Sequence, residues 1–184
     1  MRLFVAVPVD GPAREAVANV GAGFRCGRIV PPAQYHITLA FLGDAVGQAQ
    51  AEECAALLGC IEDDPFSWKV AGLGQFGSSK PRNLHANVEA SGLDRLHRSV
   101  VKAADGAGLR LERRRFVPHI TLSRLRAPLD VRDAAWFAQN VDVQLGPFWA
   151  DRFELIESRL SPDGPDYRTL VSYPLGPDWD DLDD

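Results

Sequence analysis

The segment His-Ile-Thr-Leu occurs twice, at residues 36–39 and 119–122, and both copies lie in matching surroundings. An apolar strand pattern begins at Leu3, 33 positions before His36, and another at Leu84, 35 positions before His119. In each interval the strand is followed by a helical pattern and then by proline next to the motif (Pro31-Pro32 and Pro118). Neither copy is long enough to bury its own apolar face, so the duplication predicts an α+β chain of two lobes. We expect two mainly antiparallel sheets around a central cleft, with helices outside and a pseudo-twofold axis between the lobes. The chain has 4 histidines and 3 threonines in 184 residues. Random placement would yield roughly 0.07 His-x-Thr pairs, so two copies in one context are a signal rather than a coincidence.

The remaining elements follow from periodicity and punctuation. Residues 3–9 read as a buried strand, and Pro12 opens a helix that runs to about Val20, where Gly21 and Gly23 end it. His36 to Leu42 is extended and closes at Gly43 and Asp44; 45–61 is helical; 66–71 is a strand, with a glycine-rich loop from Gly72 to Pro81. Leu84–Ala90 is again a strand. Residues 92–105 form an amphipathic helix with Leu93, Leu96, Val100 and Val101 inward. A helix over 130–139 and strands over 141–149, 152–160 and 169–175 complete the reading, with the acidic tail 178–184 expected to fray. No linker divides the chain, so 1–184 is expected to be one two-lobed domain.

On a strand, residues two apart share a face, so His36 lies with Thr38 and His119 with Thr121, while Ile37, Leu39, Ile120 and Leu122 face a core. A twofold relation lets the two imidazoles face one another. Two histidines suit proton transfer at neutral pH, one taking a proton from water and the other giving one to a leaving oxygen. The threonine hydroxyls suit donation to non-bridging phosphoryl oxygens. Composition limits the partner. With 20 basic against 25 acidic residues the net charge is −5, so contact with nucleic acid is expected at an end rather than along a track. Three cysteines (Cys26, Cys54, Cys60) without a Cys-x-x-Cys pair argue against a disulfide framework and a zinc knuckle. The absence of a signal-like N-terminus and of a long apolar run leads us to expect a cytoplasmic protein without a membrane partner.

These segments resemble the two-histidine phosphoesterase superfamily, specifically the RNA 2′,3′-cyclic phosphodiesterases also called 2′-5′ RNA ligases. The resemblance rests on Arg2-Leu-Phe-Val-Ala-Val-Pro, His36-Ile-Thr-Leu-Ala-Phe-Leu-Gly, Phe116-Val-Pro-His-Ile-Thr-Leu-Ser-Arg, Phe153-Glu-Leu-Ile-Glu-Ser-Arg-Leu and Tyr167-Arg-Thr-Leu, in order over nearly the whole chain. It implies opening of RNA 2′,3′-cyclic phosphate ends to 2′-phosphates without metal or other cofactor. It also implies His36 as proton donor and His119 as acceptor; the spacing alone leaves these roles interchangeable. The same site run as a 2′-5′ ligase is the alternative, and a non-catalytic module for RNA ends or nucleotides is the alternative of a different class. The resemblance further implies that Arg124 binds phosphate. Strict alternation puts Arg124, five residues after His119, on the wrong face unless the strand bends or bulges. Where many relatives have Trp-to-Asn-Leu-His before the first motif, this chain has Pro31-Pro-Ala-Gln-Tyr-His. RNA ends or small cyclic nucleotides are the expected substrates, and the chain is expected to be a monomer.

Gly72-Leu-Gly-Gln-Phe-Gly77 spells a dinucleotide-binding pattern, but Pro81 follows where that motif needs a helix. A loop at the cleft mouth is the better reading, with Phe76 placed either to stack a terminal base or to pack under its own loop. Arg110, Arg113, Arg114, Arg115, Arg126, Lys80 and Arg82 form either a local phosphate footprint or a solvated face. His85 and His97 lack metal-ligand spacing and read as structural histidines.

Overall fold

The computed structural model describes residues 1–77, 81–112, 114–162 and 164–176; the expected frayed tail, Lys80 and Arg113 lie outside them. The chain runs β1 (Leu3–Pro8), α1 (Gly11–Gly21), β2 (Arg28–Ile29), a 3-10 turn (Pro32–Gln34), β3 (His36–Gly43), α2 (Gln48–Leu58), β4 (Phe66–Phe76), β5 (Asn83–Glu89), α3 (Ser91–Gly106), β6 (His119–Arg124), α4 (Val131–Asn140), β7 (Gln144–Ala150), β8 (Arg152–Ser161) and β9 (Gly164–Pro174). Among the described residues no helix is long and apolar enough to cross a membrane.

The strands pair antiparallel in the order β7-β4-β5-β6-β3-β1-β8-β9, with β2 added to β6. The two motif strands, β3 and β6, are neighbours at the centre and meet through a single residue pair, Ile37 with Ile120. The arrangement is therefore two four-stranded sheets joined by one rung, which is the duplicated α+β architecture with its seam at the motifs. Both seam isoleucines are fully buried. The halves are interleaved in sequence: β8 and β9, the last strands, complete the sheet that β1 and β3 begin, whereas β4 to β7 form the other.

The helices cover this sheet because their apolar positions recur at helical spacing. In α3, Leu93, Leu96, Val100 and Ala104 are fully buried. This helix follows β5 of the second lobe yet packs on β3 of the first. His97 on α3 donates through Nδ1 to the Leu39 carbonyl at 2.8 Å and stacks flat on Phe116 at 4.1 Å. It is a structural histidine, as expected, and it braces the seam.

On the other side, α4 is capped by Asp130, whose carboxylate accepts the Asp133 N–H at 2.7 Å. Asp133 is fully buried, and its carboxylate accepts the backbone N–H groups of Arg25, at 3.1 Å, and Cys26. The Ser123 hydroxyl donates to the Cys26 carbonyl at 2.7 Å. Gly27 has φ +75°, and a Cβ there would lie 2.5 Å from the Arg124 carbonyl oxygen. These contacts clamp the segment before β2 onto β6.

Two elements differ from the sequence reading. Residues 72–76, expected as a glycine-rich loop, continue β4 to Phe76. A register shift between Val70 and Leu73, with Gly72 at φ +87°, absorbs the glycines as a bulge and the strand resumes. Strand β2 was not anticipated, since two residues carry no periodicity.

Candidate active site

The two motif strands have the same burial sequence. In β3, His36 and Thr38 are half-buried, Leu39 and Ala40 are both buried, and Phe41 is exposed; in β6, His119 and Thr121 are half-buried, Leu122 and Ser123 are both buried, and Arg124 is exposed. Two consecutive buried residues break the alternation, and the ladders show why. Thr38 and Ala40 oppose successive residues Ala6 and Val5, while Thr121 and Ser123 oppose His85 and Leu84. Each strand carries one extra residue, a bulge after the threonine. The residue five positions after each histidine is thereby returned to the histidine's face. This resolves the difficulty over Arg124, and it makes Phe41 the counterpart of Arg124 in the first lobe.

Each catalytic-candidate imidazole is held alike. His36 Nδ1 lies 2.7 Å from the Gln34 carbonyl, and His119 Nδ1 lies 2.8 Å from the Val117 carbonyl. A carbonyl only accepts, so Nδ1 carries the proton and Nε2 is left for chemistry in both rings. Burial pushes His36 down to about 4, against the Gln34 hydrogen bond and reinforced by the charges of Arg124 and His119. Burial also lowers His119, opposed by its bond to Val117. Both rings are thus neutral acceptors at neutral pH before an anion arrives.

The two rings have different company. His36 packs against Phe4 (5.0 Å between ring centroids) and edge-on to Tyr167 (5.3 Å). His119 packs against Phe76 (4.8 Å) and His85 (5.1 Å), which stack on each other at 4.3 Å. Phe76 is therefore the last residue of β4, with one face taken by His85, rather than a residue of a loop. A cleft of about 320 Å³ opens on the His36 side, lined by His36, Thr38, Phe41, Arg28, Arg124 and Tyr167, with Leu160 at its edge. Arg124 reaches across it to donate to the Tyr167 hydroxyl at 3.3 Å. Thr38 and Thr121 lie beside their histidines on the open faces of β3 and β6.

Of the residues singled out in the sequence, His36, Thr38 and Arg124 line the cleft, Thr121 lies beside His119 on β6, and Phe76 packs on His119. Sequence reasoning missed His85, which is 2% exposed and opposes Thr121 directly in the β5–β6 register. Aligning β5 on β1 through the repeat would have shown this. It also did not foresee Phe4, Tyr167 and Arg28 at the site. Among the described residues, Arg110, Arg114 and Arg115 before the second motif do not line the cleft; Arg114 pairs with Glu112 at 2.9 Å. Among the described residues, the ligand atoms of Cys26, Asp130 and Asp133 lie within 4.8 Å of one another, but both carboxylates are engaged in capping α4 and holding the segment before β2.

Comparison with known proteins agrees with this arrangement. The profile of the 2′-5′ RNA ligase superfamily matches residues 13–161. The chain is 35% identical over 152 residues to an RNA 2′,3′-cyclic phosphodiesterase of Bacillus subtilis, covering 79% of each protein. It is 33% identical to the protein of that name from Archaeoglobus fulgidus, over 92% of this chain and 98% of the relative. A Geobacillus stearothermophilus relative is 39% identical over 66% of this chain, which spans 41% of that longer protein. The crystal structure of TT0787 of Thermus thermophilus superposes with a TM-score of 0.81 at 30% identity, covering 95% of this chain and 98% of the other. That of Escherichia coli LigT complexed with 3′-AMP does so at 0.78 and 26%, covering 95% and 97%. With the profile spanning both motif strands and relatives matching from end to end, the chain belongs to the 2′-5′ RNA ligase superfamily.

Proposed function

We propose that this protein hydrolyses RNA 2′,3′-cyclic phosphate termini to 2′-phosphate ends, using His36 and His119 as acid and base without a metal ion. The observation that carries the reading is the pair of imidazoles, each with Nδ1 tied to the carbonyl two residues upstream and Nε2 left for chemistry. Water attacks phosphorus as His119 Nε2 takes its proton, the P–O3′ bond breaks, and His36 gives a proton to the departing O3′. Attack and departure must be in line, so the ribose lies on the acid's side. The open cleft beside His36 supplies that space, whereas Phe76 and His85 close around His119. This asymmetry supports His36 as donor independently of family resemblance. It also supports Phe76 as packing against the base over stacking a nucleobase.

A donor at about 4 is too acidic until substrate binds. A phosphate anion ~4 Å away is worth about 4 kcal/mol at an effective dielectric constant of ~20, or roughly 3 pK units. Binding itself therefore brings His36 to the neutral range, where it is an effective acid. Thr38, Thr121 and Arg124 hold the non-bridging oxygens, where transition-state charge resides.

The test is turnover of an oligoribonucleotide with a 2′,3′-cyclic end in EDTA, the product's phosphate position being assigned by phosphorus NMR. A 2′-phosphate made by native protein, and lost in His36→Ala and in His119→Ala, is the outcome expected. Activity that survives both substitutions, or that disappears with the chelator, refutes the mechanism.

A further inference from the structure

We propose that the outer part of the His36-side cleft, beyond the reacting ribose, is a subsite for the nucleotide immediately 5′ of the cyclic end, whose base stacks on a layer formed by Phe41 and Arg2. The inference rests on the hydrolase reading above, since it extends the same cleft. Phe41 occupies in the first lobe the place that Arg124 holds in the second, because the duplicated bulge turns both toward the histidine face. The chain thus carries a phosphate-binding guanidinium at one position and a ring at its mate. An exposed phenylalanine (41%) in a polar cleft is costly unless something covers it. Arg2 covers part of it: its guanidinium lies 4.9 Å from the ring centroid and is held there by an ion pair with Asp44. The Arg2 side chain is itself 39% exposed, so the layer ends in a guanidinium plane open to the cleft. Guanidinium and aromatic planes are the surfaces on which unpaired bases stack.

The position along the strand is consistent with a neighbouring nucleotide rather than the reacting one. Phe41 opposes Phe4 in the β1–β3 register, and the Phe4 ring lies 5.0 Å from that of His36, so Phe41 stands one side chain beyond the group packed on the acid. The connecting phosphodiester then passes Arg28 and Arg124, which lie opposite each other in the β2–β6 register. Leu160, 75% exposed on the projecting end of β8, forms the far edge of the same cleft. On an acidic chain this local basic and aromatic strip is the charge pattern that an RNA end, and not a long duplex, would need.

The experiment compares kcat/KM for adenosine 2′,3′-cyclic phosphate with that for the dinucleotide ApA bearing a 2′,3′-cyclic end. Native protein should prefer the dinucleotide by roughly tenfold, the usual scale of one base stack. In Phe41→Ala and in Arg2→Ala that ratio should fall to about 2 or less, while Phe41→Trp keeps it. Phe41→Leu, which retains apolar volume without a ring, should behave like alanine. A native ratio near unity, or a ratio that survives both alanine substitutions, overturns the proposal. Should native protein turn over neither substrate, the hydrolase reading fails separately. The subsite is then judged by fluorescence anisotropy of a labelled trinucleotide with a 2′-phosphate: weaker binding by Phe41→Ala and Arg2→Ala supports it, and unchanged binding refutes it.

Discussion

Asp133→Ala should destabilise the protein by about 3 kcal/mol and loosen the support beneath Arg124. The carboxylate is fully buried and accepts two backbone N–H groups from the segment before β2. Burial acts to raise its pKa but is outweighed by these bonds and by Arg132, so the group is held below the ordinary carboxylate range and is ionised. A hydrogen bond to a charged acceptor contributes about 1.5–3 kcal/mol. Cys26 is half-buried and loses most of that value on truncation, whereas Arg25 is exposed and water recovers part of its bond. The sum is about 3 kcal/mol, which at a urea m-value of about 2 kcal/mol/M lowers the midpoint by roughly 1.5 M. Asp133→Asn, which keeps an acceptor oxygen but not the charge, should lose about half as much. Because the clamped segment carries β2 against Ser123 and Arg124, KM should rise in Asp133→Ala under conditions where it remains folded. A midpoint shift below about 0.5 M would refute the reasoning, since at ~2 kcal/mol/M the two bonds would then total only ~1 kcal/mol.

Arg124→Ala should lower kcat/KM by roughly 10- to 150-fold, the equivalent of one charge-assisted hydrogen bond, with Arg124→Lys recovering part of the loss in steady-state assays. Burial, with the charge of His119 and against a hydrogen bond to Asn87, holds His85 at about 4. The unfolded chain therefore takes up this proton first, and stability should fall by about 3 kcal/mol as pH drops from 6.5 to 4. His36, also held at about 4, adds a similar loss, so urea midpoints at pH 4.5 and 7.5 should show both, and His85→Phe should remove about half. A Cβ at Gly74 would stand 2.6 Å from His85 Nε2 and 2.9 Å from Asn87 Oδ1. Gly74→Ala should accordingly cost about 1–3 kcal/mol in thermal or urea unfolding and lower kcat by displacing the ring beside His119. Because burial lowers His119, the acid limb of the kcat/KM profile should fall below the ordinary histidine value of about 6.5; a limb at or above it would contradict the neutral-base assignment.

The motif strands were legible because alternation is a local property: His36 and Thr38 share a face whatever they pair with. The same rule misplaced Arg124, because a bulge belongs to a pair of strands, and nothing in 119–124 alone announces the extra residue. The glycines of 72–77 read as a loop for a similar reason. Gly72 supplies the left-handed turn of a bulge, and Gly74 leaves room for the His85 ring, a need visible only once β4 and β5 are side by side. His85 was read as structural for want of metal-ligand spacing, yet pairing sets it next to His119. The repeat correctly gave two lobes, but not which strands finish each of them, because β8 returns to β1 across nearly the whole chain.

That return has a consequence for synthesis and for truncation. Strand β1 leaves the ribosome well before one of its two neighbours, β8, which follows every strand of the other half in the chain. The His119 half, β4 to β7, has all four strands in hand by residue 150, while the His36 half waits with an open edge on β1. Such an edge is a template for foreign strands, and its late closure by β8 is a long-range pairing of the slow kind. A chain stopped after β7 would carry both histidines and a finished His119 half, but no Tyr167 beside His36 and no far wall to the cleft.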